Sequence, residues 1–173
     1  MRLFFALWPD DALREALHRA ARKPARQSGG KPMAPDNYHV TLKFIGNADD
    51  EACACLCAAA DAIRGQPFEL RLDTLGFWPK PRILWLGAEQ VPEALAALAR
   101  DLERAAAGCG FEPELRPYRP HVTLARKVSR PGPLGAVAPL DWRPDAFVLA
   151  ASETRPEGAH YRVLRRWALA SEL

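Results

Sequence analysis

The order of apolar and polar positions divides the chain into short apolar runs and longer stretches in which apolar residues recur at helical spacing. Residues 2–7 are almost all apolar and predict a buried strand. The acidic pair after Pro9 predicts a helix start, because acidic side chains favour the positive end of a helix; this helix should end near Arg26. Two further helices are predicted near residues 50–64 and 92–107.

The remaining apolar segments are short and separated by Pro, Gly and Asn, which is typical of strands and turns. These strands are predicted around His39, at 68–77, at 82–87, around His121, at 146–153 and at 161–168. Residues 129–135 are rich in Pro and Gly and predict a loop. Strands and helices follow one another without a regular βαβ rhythm. The pattern therefore favours an α+β fold of mainly antiparallel sheet over a doubly wound parallel sheet.

The tetrapeptide His-Val-Thr-Leu occurs twice, at residues 39–42 and 121–124, once in each half of the chain. Because successive side chains of a strand point to opposite faces, each copy should place His and Thr on one face and Val and Leu in the core. The repeat predicts two similar lobes whose His strands face each other across a cleft. Such a cleft would contain the pairs His39 with Thr41 and His121 with Thr123.

Imidazoles exchange protons near neutral pH, and hydroxyl groups donate hydrogen bonds to oxyanions. Two of each in one cleft predict metal-free acid–base chemistry on a phosphate. The alternative is that two amphipathic core strands resemble each other by accident. The chain has four histidines, and two of them open these two copies, which favours the functional interpretation.

Length and composition limit the possible classes of protein. With 173 residues and 49% apolar side chains, the chain can bury one core, as a single domain or as two small packed lobes. A net charge of +3 suits an anionic ligand but is too small to indicate wrapping of long nucleic acid. The apolar run at the N-terminus is too short for a signal peptide, and no segment approaches membrane-spanning length. We therefore expect a cytoplasmic protein with no membrane contact.

The four cysteines are Cys53, Cys55, Cys57 and Cys109, and the first three fall in a predicted helix. Cys53 and Cys57 should share a helix face, but no Cys-x-x-Cys pair or cluster with His is present. We expect these side chains to act as small buried hydrophobic groups in a reducing compartment. A metal site or a redox pair is the less favoured alternative.

The two motifs resemble the signature of the two-histidine phosphoesterase superfamily and, within it, that of the bacterial RNA 2′,3′-cyclic phosphodiesterases, also called 2′-5′ RNA ligases. The resemblance extends over almost the whole chain, through segments 2–7, 76–87, 119–126 and 152–164. It implies one domain over residues 1–173. That domain should be bilobal α+β, with two pseudo-symmetric lobes of mainly antiparallel sheet, flanking helices and a central cleft.

The resemblance also implies a reaction: hydrolysis of RNA 2′,3′-cyclic phosphate ends, with reversible ATP-independent 2′-5′ RNA ligation as a second activity. In the implied roles His121 accepts a proton from water and His39 donates one to the departing 3′ oxygen, which leaves a 2′-phosphomonoester. Thr41 and Thr123 would bind the non-bridging oxygens, and Arg126 would add a positive charge. Neither a metal nor a cofactor is expected. The implied partner is RNA with such an end, tRNA fragments being one candidate, and the protein is expected to be a monomer.

The positions beyond the two Thr residues leave alternatives open. Strict alternation would place Arg126 on the face opposite His121, so either a bulge redirects it or it is a surface arginine. Phe44 stands at the equivalent position after the first motif, which predicts an asymmetric site. Lys43 should share the His39 face, either near the phosphate or as a solvated lysine at the strand end.

Three aromatic residues near the motifs, Tyr38, Trp78 and Tyr118, are candidates for stacking on a nucleobase, the alternative being ordinary packing. Three rival functions remain at this level. The first is a non-catalytic module that binds RNA ends, and the second is an enzyme acting on a small cyclic phosphate. The third is a zinc hydrolase using both motif histidines, which the absence of a third ligand at metal spacing disfavours.

Overall fold

The computed structural model describes residues 1–129 and 131–170, in which helices and antiparallel strands mix as predicted. The helices are α1 (Asp11–Gln27), α2 (Asp50–Asp61) and α3 (Glu93–Gly108), with a 3₁₀ turn at Pro35–Asn37. The strands are β1 (Arg2–Leu7), β2 (Lys31–Pro32), β3 (Val40–Asn47), β4 (Leu70–Leu72), β5 (Thr74–Trp78), β6 (Ile83–Gly87), β7 (His121–Arg126), β8 (Leu140–Trp142), β9 (Ala146–Arg155) and β10 (Gly158–Ala168). The α+β prediction is confirmed.

Most strands form one sheet in the order β10-β9-β1-β3-β7-β6-β5, and the short strand β2 also pairs with β7. A second sheet contains β4 and β8. The prediction of one strand over residues 68–77 is wrong, because the chain changes sheets at Asp73. The carboxylate of Asp73 accepts hydrogen bonds from the Thr74 hydroxyl (2.9 Å) and the Glu89 amide (3.0 Å), which fixes this corner. Part of the predicted 129–135 loop, residue 130, lies outside the described residues.

The two motif strands are neighbours at the centre of the large sheet, where β3 and β7 join through one antiparallel residue pair, Val40 with Val122. Both valines are fully buried. They are the second residues of the two motifs, so the antiparallel register places His39 across from Thr123 and Thr41 across from His121. All four polar side chains therefore share the face opposite the valines.

Both motif strands contain a β-bulge at the leucine of the motif. Opposite the consecutive residues Phe5 and Ala6 of β1, strand β3 pairs Lys43 and Thr41 and skips Leu42. Strand β7 makes the same irregularity at Leu124, opposite β6. A bulge adds one residue to one strand and reverses the faces of the residues beyond it. The third residue after each motif threonine, and not the second, therefore returns to the motif face.

The helices cover the other face of the large sheet and supply much of the core. Helix α1 begins at Asp10, whose carboxylate accepts the Leu13 amide (2.8 Å), and α2 begins in the same way at Asp49. Each helix buries one stripe of apolar residues spaced three or four apart, such as Leu95, Leu98 and Leu102 on α3. In the described chain no helix is both long and apolar enough to cross a bilayer.

The expectation that all four cysteines are unpaired is wrong, because Cys55 and Cys109 form a disulfide. The bond joins α2 to the residue that caps the C-terminus of α3. Packing of these two helices brings together residues that are 54 positions apart, which no local spacing pattern can show. Cys53 and Cys57 remain free thiols, half-buried against the core.

Lys43 does not share the His39 face as alternation predicts, because the bulge at Leu42 turns its side chain towards the helices. It is 6% exposed. Its ammonium group forms an ion pair with Glu103 of α3 (3.0 Å) and donates a hydrogen bond to the carbonyl of Glu112 (3.0 Å). Lys43 is therefore a buried structural cation.

Because the half-buried carboxylate of Glu103 and a carbonyl depend on this buried amine, Lys43→Ala should lower the free energy of unfolding by about 2 kcal/mol. Urea denaturation measures the change. The control is Lys23→Ala on the exposed side of α1, which should change stability by less than about 0.5 kcal/mol. Equal stability of the two variants would contradict the buried ion pair.

Candidate active site

The motif face of the large sheet contains a cavity of about 310 Å³ that is lined by side chains from both motifs. His39 and Thr41 line it from β3, and Thr123 and Arg126 line it from β7. His121 lies beside it on the same strand face, two residues before Thr123. Four of the five residues predicted for catalysis and phosphate binding thus line the cavity, and His121 lies on the same strand face beside it.

Both imidazole rings are held in the same way, through a carbonyl group two residues earlier in the chain. The Nδ1 atom of His39 lies 2.8 Å from the carbonyl oxygen of Asn37, and that of His121 lies 2.8 Å from the carbonyl oxygen of Arg119. A carbonyl only accepts hydrogen bonds, so Nδ1 carries the hydrogen in each ring. In the neutral ring Nε2 is then the basic atom, free to accept or return a proton.

His39 also contacts its own motif threonine, with Nε2 at 3.1 Å from the Thr41 hydroxyl oxygen. When the ring is neutral, the hydroxyl must be the donor in this hydrogen bond. When Nε2 gains a proton the direction reverses, and the Thr41 hydrogen becomes available to another acceptor in the groove. Protonation of His39 is therefore coupled to the donor capacity of Thr41.

Aromatic side chains surround the His39 ring on several sides. Trp8 stacks on it at 5.3 Å with an interplanar angle of 5°, Phe4 lies at 4.9 Å, and Tyr161 meets it edge-on at 5.1 Å. These three residues come from the end of β1 and from β10, far apart in sequence. They keep the ring in one orientation and exclude water from much of its surface.

The environment of His121 is also aromatic but uses different residues. Trp78 contacts the ring edge-on at 4.6 Å, and Trp85 lies at 6.3 Å. The Trp85 ring lies over Gly76 on the neighbouring strand, where any Cβ atom would overlap it. Glycine at that position thus allows the central hairpin to bring both tryptophans beside His121.

Burial in these aromatic surroundings shifts the pKa values of both histidines. Burial lowers the pKa of His39 to about 4, although its hydrogen bond to the Asn37 carbonyl acts in the opposite direction. The charges of His121 and Arg126 lower that pKa further, which shows that the three groups act on one another electrostatically. Burial also lowers the pKa of His121, against the raising effect of its hydrogen bond to Arg119. Both shifts favour the neutral form of the ring.

Strict alternation would place Arg126 on the face opposite His121. The bulge at Leu124 reverses the alternation, so Arg126 faces the groove instead. Its guanidinium group donates a hydrogen bond to the hydroxyl of Tyr161 (2.8 Å). Phe44, its counterpart after the first motif, also lines the cavity and is 55% exposed. As predicted, the two halves of the site differ, with a cation on one side and an aromatic ring on the other.

The candidates for base stacking divide into two groups. Tyr38 is 3% exposed and belongs to the core, so the prediction that its ring stacks on a base is wrong. Tyr118 is also packed on the core, and its hydroxyl donates to the Thr41 carbonyl (3.0 Å), where it supports the motif strand. Trp78 is half-buried beside His121 and stays a stacking candidate.

Sequence reasoning missed several residues of the groove, because they lie outside the repeated motifs. Tyr161 is the most important of them, since it contacts both His39 and Arg126. The polar lining also includes side chains from the start of β1, from the 3₁₀ turn and from β9, namely Arg2, Asn37, Ser152 and Thr154. A weak signal was present in the resemblance of segment 152–164 to the family's closing hairpin. Nothing in that segment alone, however, indicated contact with the motifs.

The described residues, 1–129 with 131–170, contain no cluster of three or more His, Cys, Asp or Glu side chains arranged to hold a metal ion. The polar side chains that line the groove carry hydroxyl groups, two guanidinium groups, one amide and one imidazole ring. This set matches an oxyanion, for which Thr and Arg are hydrogen-bond donors.

Comparison with known proteins agrees with this site. The family model described as the 2′-5′ RNA ligase superfamily matches residues 9–153. A relative from Escherichia coli, named RNA 2′,3′-cyclic phosphodiesterase, is 37% identical over 97% of this chain and 96% of its own length. A relative of the same name from Thermus thermophilus is 33% identical over 99% of this chain and 92% of its own length.

Similarity to solved structures extends to the whole fold. The crystal structure of E. coli LigT complexed with 3′-AMP superimposes with a TM-score of 0.92 at 35% sequence identity. The match covers 98% of this chain and 98% of that one. The two chains therefore share one architecture from the first strand to the last.

The pKa shift of His39 leads to a test that needs no substrate. In an NMR titration the His39 ring should change charge near pH 4 in the folded protein, and near the ordinary value of about 6.5 in urea. Folding stability should accordingly decrease as pH falls from about 6.5 to about 4, because the unfolded chain binds the proton first.

Inorganic phosphate should raise the pKa of His39, since a nearby negative charge favours the imidazolium form. An unchanged pKa at saturating phosphate would contradict an anion site beside this ring.

Proposed function

The chain belongs to the 2′-5′ RNA ligase superfamily, and on that basis we propose that it is an RNA 2′,3′-cyclic phosphodiesterase. The substrate is an RNA end that carries a 2′,3′-cyclic phosphate, and the product is a 2′-phosphomonoester. One observation carries this proposal. In the register of β3 and β7, His39, Thr41, His121 and Thr123 share one face of the sheet, and Arg126 lines the cavity on that face.

Phosphate binding uses the hydroxyl groups and the arginine. A cyclic phosphodiester carries one negative charge, and more charge accumulates on its non-bridging oxygens as water adds. Thr41 and Thr123 donate hydrogen bonds to those oxygens, and the Arg126 guanidinium supplies a permanent positive charge. The Tyr161 hydroxyl holds the guanidinium in place through the 2.8 Å hydrogen bond.

Proton transfer uses the two Nε2 atoms on either side of the phosphorus. Water attacks phosphorus in line with the 3′ oxygen, and Nε2 of His121 accepts a proton from that water. The bond between phosphorus and the 3′ oxygen breaks, and Nε2–H of His39 gives its proton to that oxygen. The 2′ ester bond is untouched, so the phosphate remains on the 2′ oxygen beside a free 3′ hydroxyl.

His39 must be protonated for this role, although burial lowers the pKa of its ring to about 4 and so favours the neutral form at pH 7. The negative charge of the bound phosphate raises that pKa again and so favours the protonated form. Protonation then reverses the hydrogen bond to Thr41 and turns that hydroxyl towards the phosphate. We infer that substrate binding and charging of the acid are one coupled event.

The same groups allow a second reaction of the cyclic ester, with an alcohol in place of water. If a 5′-hydroxyl end occupies the position of the attacking water, His121 can accept its proton and a 2′-5′ linkage forms. The strained cyclic ester stores the free energy for this step, so no ATP is required. Neither hydrolysis nor ligation uses a metal ion or a cofactor in this proposal.

Two other features belong to the proposal. RNA as the substrate, tRNA fragments among the candidates, makes the cytoplasm the expected location, and the complete groove within one chain favours a monomer. A small cyclic phosphate would satisfy the same phosphate site, so substrate size depends on the surfaces around the groove. A module that only binds RNA ends would need Thr and Arg but not two opposed imidazoles.

Substitution of either histidine tests the mechanism. His39→Ala and His121→Ala should each reduce kcat on an RNA 2′,3′-cyclic phosphate by about 100-fold or more, the usual contribution of a general acid or base. The double variant should be far less impaired than the product of the two single effects, because the rings act as a unit. The control is His18→Ala on α1, outside the groove, which should keep full activity. A folded single variant with normal kcat would remove that residue from the mechanism.

The identity of the product tests the direction of bond cleavage. Hydrolysis in the presence of EDTA should proceed at the full rate and leave a 2′-phosphate, while a matched DNA end, which lacks the 2′ oxygen, should not react. Any ligated product should resist a nuclease that is specific for 3′-5′ linkages. Loss of activity with EDTA and its rescue by Zn²⁺ would overturn the metal-free mechanism. A 3′-phosphate product would place the acid against the other oxygen.

A further inference from the structure

Three exposed basic residues lie on neighbouring backbone segments at the end of β7. We call Lys31, Arg82 and Lys127 the basic ridge. Lys31 of β2 pairs directly with Arg126, and Lys127 is the next residue in the chain. The amide of Val128 then donates to the carbonyl of Arg82 (3.0 Å), just before β6. The ridge therefore crosses three adjacent segments in the order β2, β7, β6.

The ridge begins at the rim of the groove. Directly paired residues of neighbouring strands share a face, so Lys31 lies on the same face as Arg126, which lines the cavity. The Lys31 amine also reaches the β9–β10 turn, at 3.7 Å from the position that a Cβ on Gly158 would take. The next residue, Ala159, lines the cavity. Positive charge thus continues from the phosphate site onto the surface of the protein.

None of the three ridge residues forms an ion pair within the described part of the chain. Two arginines of the neighbouring β9–β10 hairpin differ, since Arg155 and Arg162 both pair with Glu153. Arg2, which lines the cavity, lies 5.5 Å from the centre of the Phe44 ring. The charges of the three ridge residues are therefore available to an anionic ligand.

The backbone of the ridge is also unusual. Arg82 (φ 67°) and Lys127 (φ 57°) are the two non-glycine residues with positive φ in the described chain. This left-handed region is disfavoured for residues with a side chain and is retained mainly where the surroundings require it, often at functional sites. Two such residues, both basic, both exposed and on adjoining segments, distinguish this end of the sheet from an ordinary charged surface.

We propose that the basic ridge binds the phosphate backbone of the RNA just upstream of the cyclic end. The inference rests on the proposed function and defines its substrate class as oligonucleotides in preference to cyclic mononucleotides. Neighbouring strands lie about 4.8 Å apart, so three segments span about 10 Å, enough to follow a short length of single strand. The ridge reads no base, because Lys and Arg contacts to phosphate carry no sequence information.

The experiment compares two substrates, 2′,3′-cyclic AMP and an oligoadenylate with the same cyclic end, over a range of salt concentrations. The test variant combines Lys31→Gln, Arg82→Asn and Lys127→Asn, because Asn tolerates the left-handed backbone. One control replaces three exposed basic residues elsewhere, Arg22, Arg64 and Arg143, with Gln. A second control keeps the ridge charges with Lys31→Arg, Arg82→Lys and Lys127→Arg.

For the wild type, kcat/KM on the oligonucleotide should decrease steeply with salt, and the three contacts should contribute about −2 to the logarithmic slope. The test variant should lose that contribution to the slope, and its kcat/KM on the oligonucleotide at low salt should fall about tenfold or more. Its kcat/KM on 2′,3′-cyclic AMP should change by less than about twofold. Both controls should resemble the wild type. Equal salt slopes for the wild type and the test variant would overturn the proposal that the ridge binds RNA. An equal loss of kcat/KM in the Gln control would overturn it as well. Failure of the wild type to hydrolyse either substrate would instead overturn the proposed function.

Discussion

The site depends on a single point of contact between the two halves of the sheet, the pairing of Val40 with Val122. Both side chains are fully buried, so the hydrophobic effect fixes the register of β3 against β7. A shift of one residue would send the polar side chains of one motif into the core and its valine into the groove. The same burial that stabilises the sheet therefore also determines where the histidines and threonines lie.

The two β-bulges convert a symmetric repeat into an asymmetric site. Each bulge occurs at the motif leucine and reverses the faces of the residues beyond it. On β7 this brings Arg126 into the groove, and on β3 it brings Phe44 there and sends Lys43 into the core. The same kind of backbone irregularity thus brings a cation into the groove on one strand and directs Lys43 into an ion pair with Glu103 on the other. The two halves share geometry while their chemistry differs through single side chains.

Aromatic packing around the imidazoles affects both position and charge. Trp8, Phe4 and Tyr161 hold His39, and Trp78 holds His121, while the carbonyl behind each ring fixes its tautomer. The same packing removes water and favours the neutral rings. A negative charge beside a ring acts in the opposite direction, and it acts strongly in a region of low dielectric.

The sequence by itself determined the class of fold, most of the element boundaries and the five central side chains, because these depend on local periodicity and on a repeated motif. It predicted β1 at residues 2–7 correctly from a continuous apolar run. It predicted the motif strands correctly from their alternation, since a strand with one buried face must alternate. It failed at residues 68–77, at Lys43 and at Tyr38, where alternation or exposure is decided by a partner strand. It also missed the Cys55–Cys109 bond and the contacts of Tyr161. Only the tertiary structure decided these features, because they depend on pairing and packing between segments far apart in the chain, which no local pattern encodes.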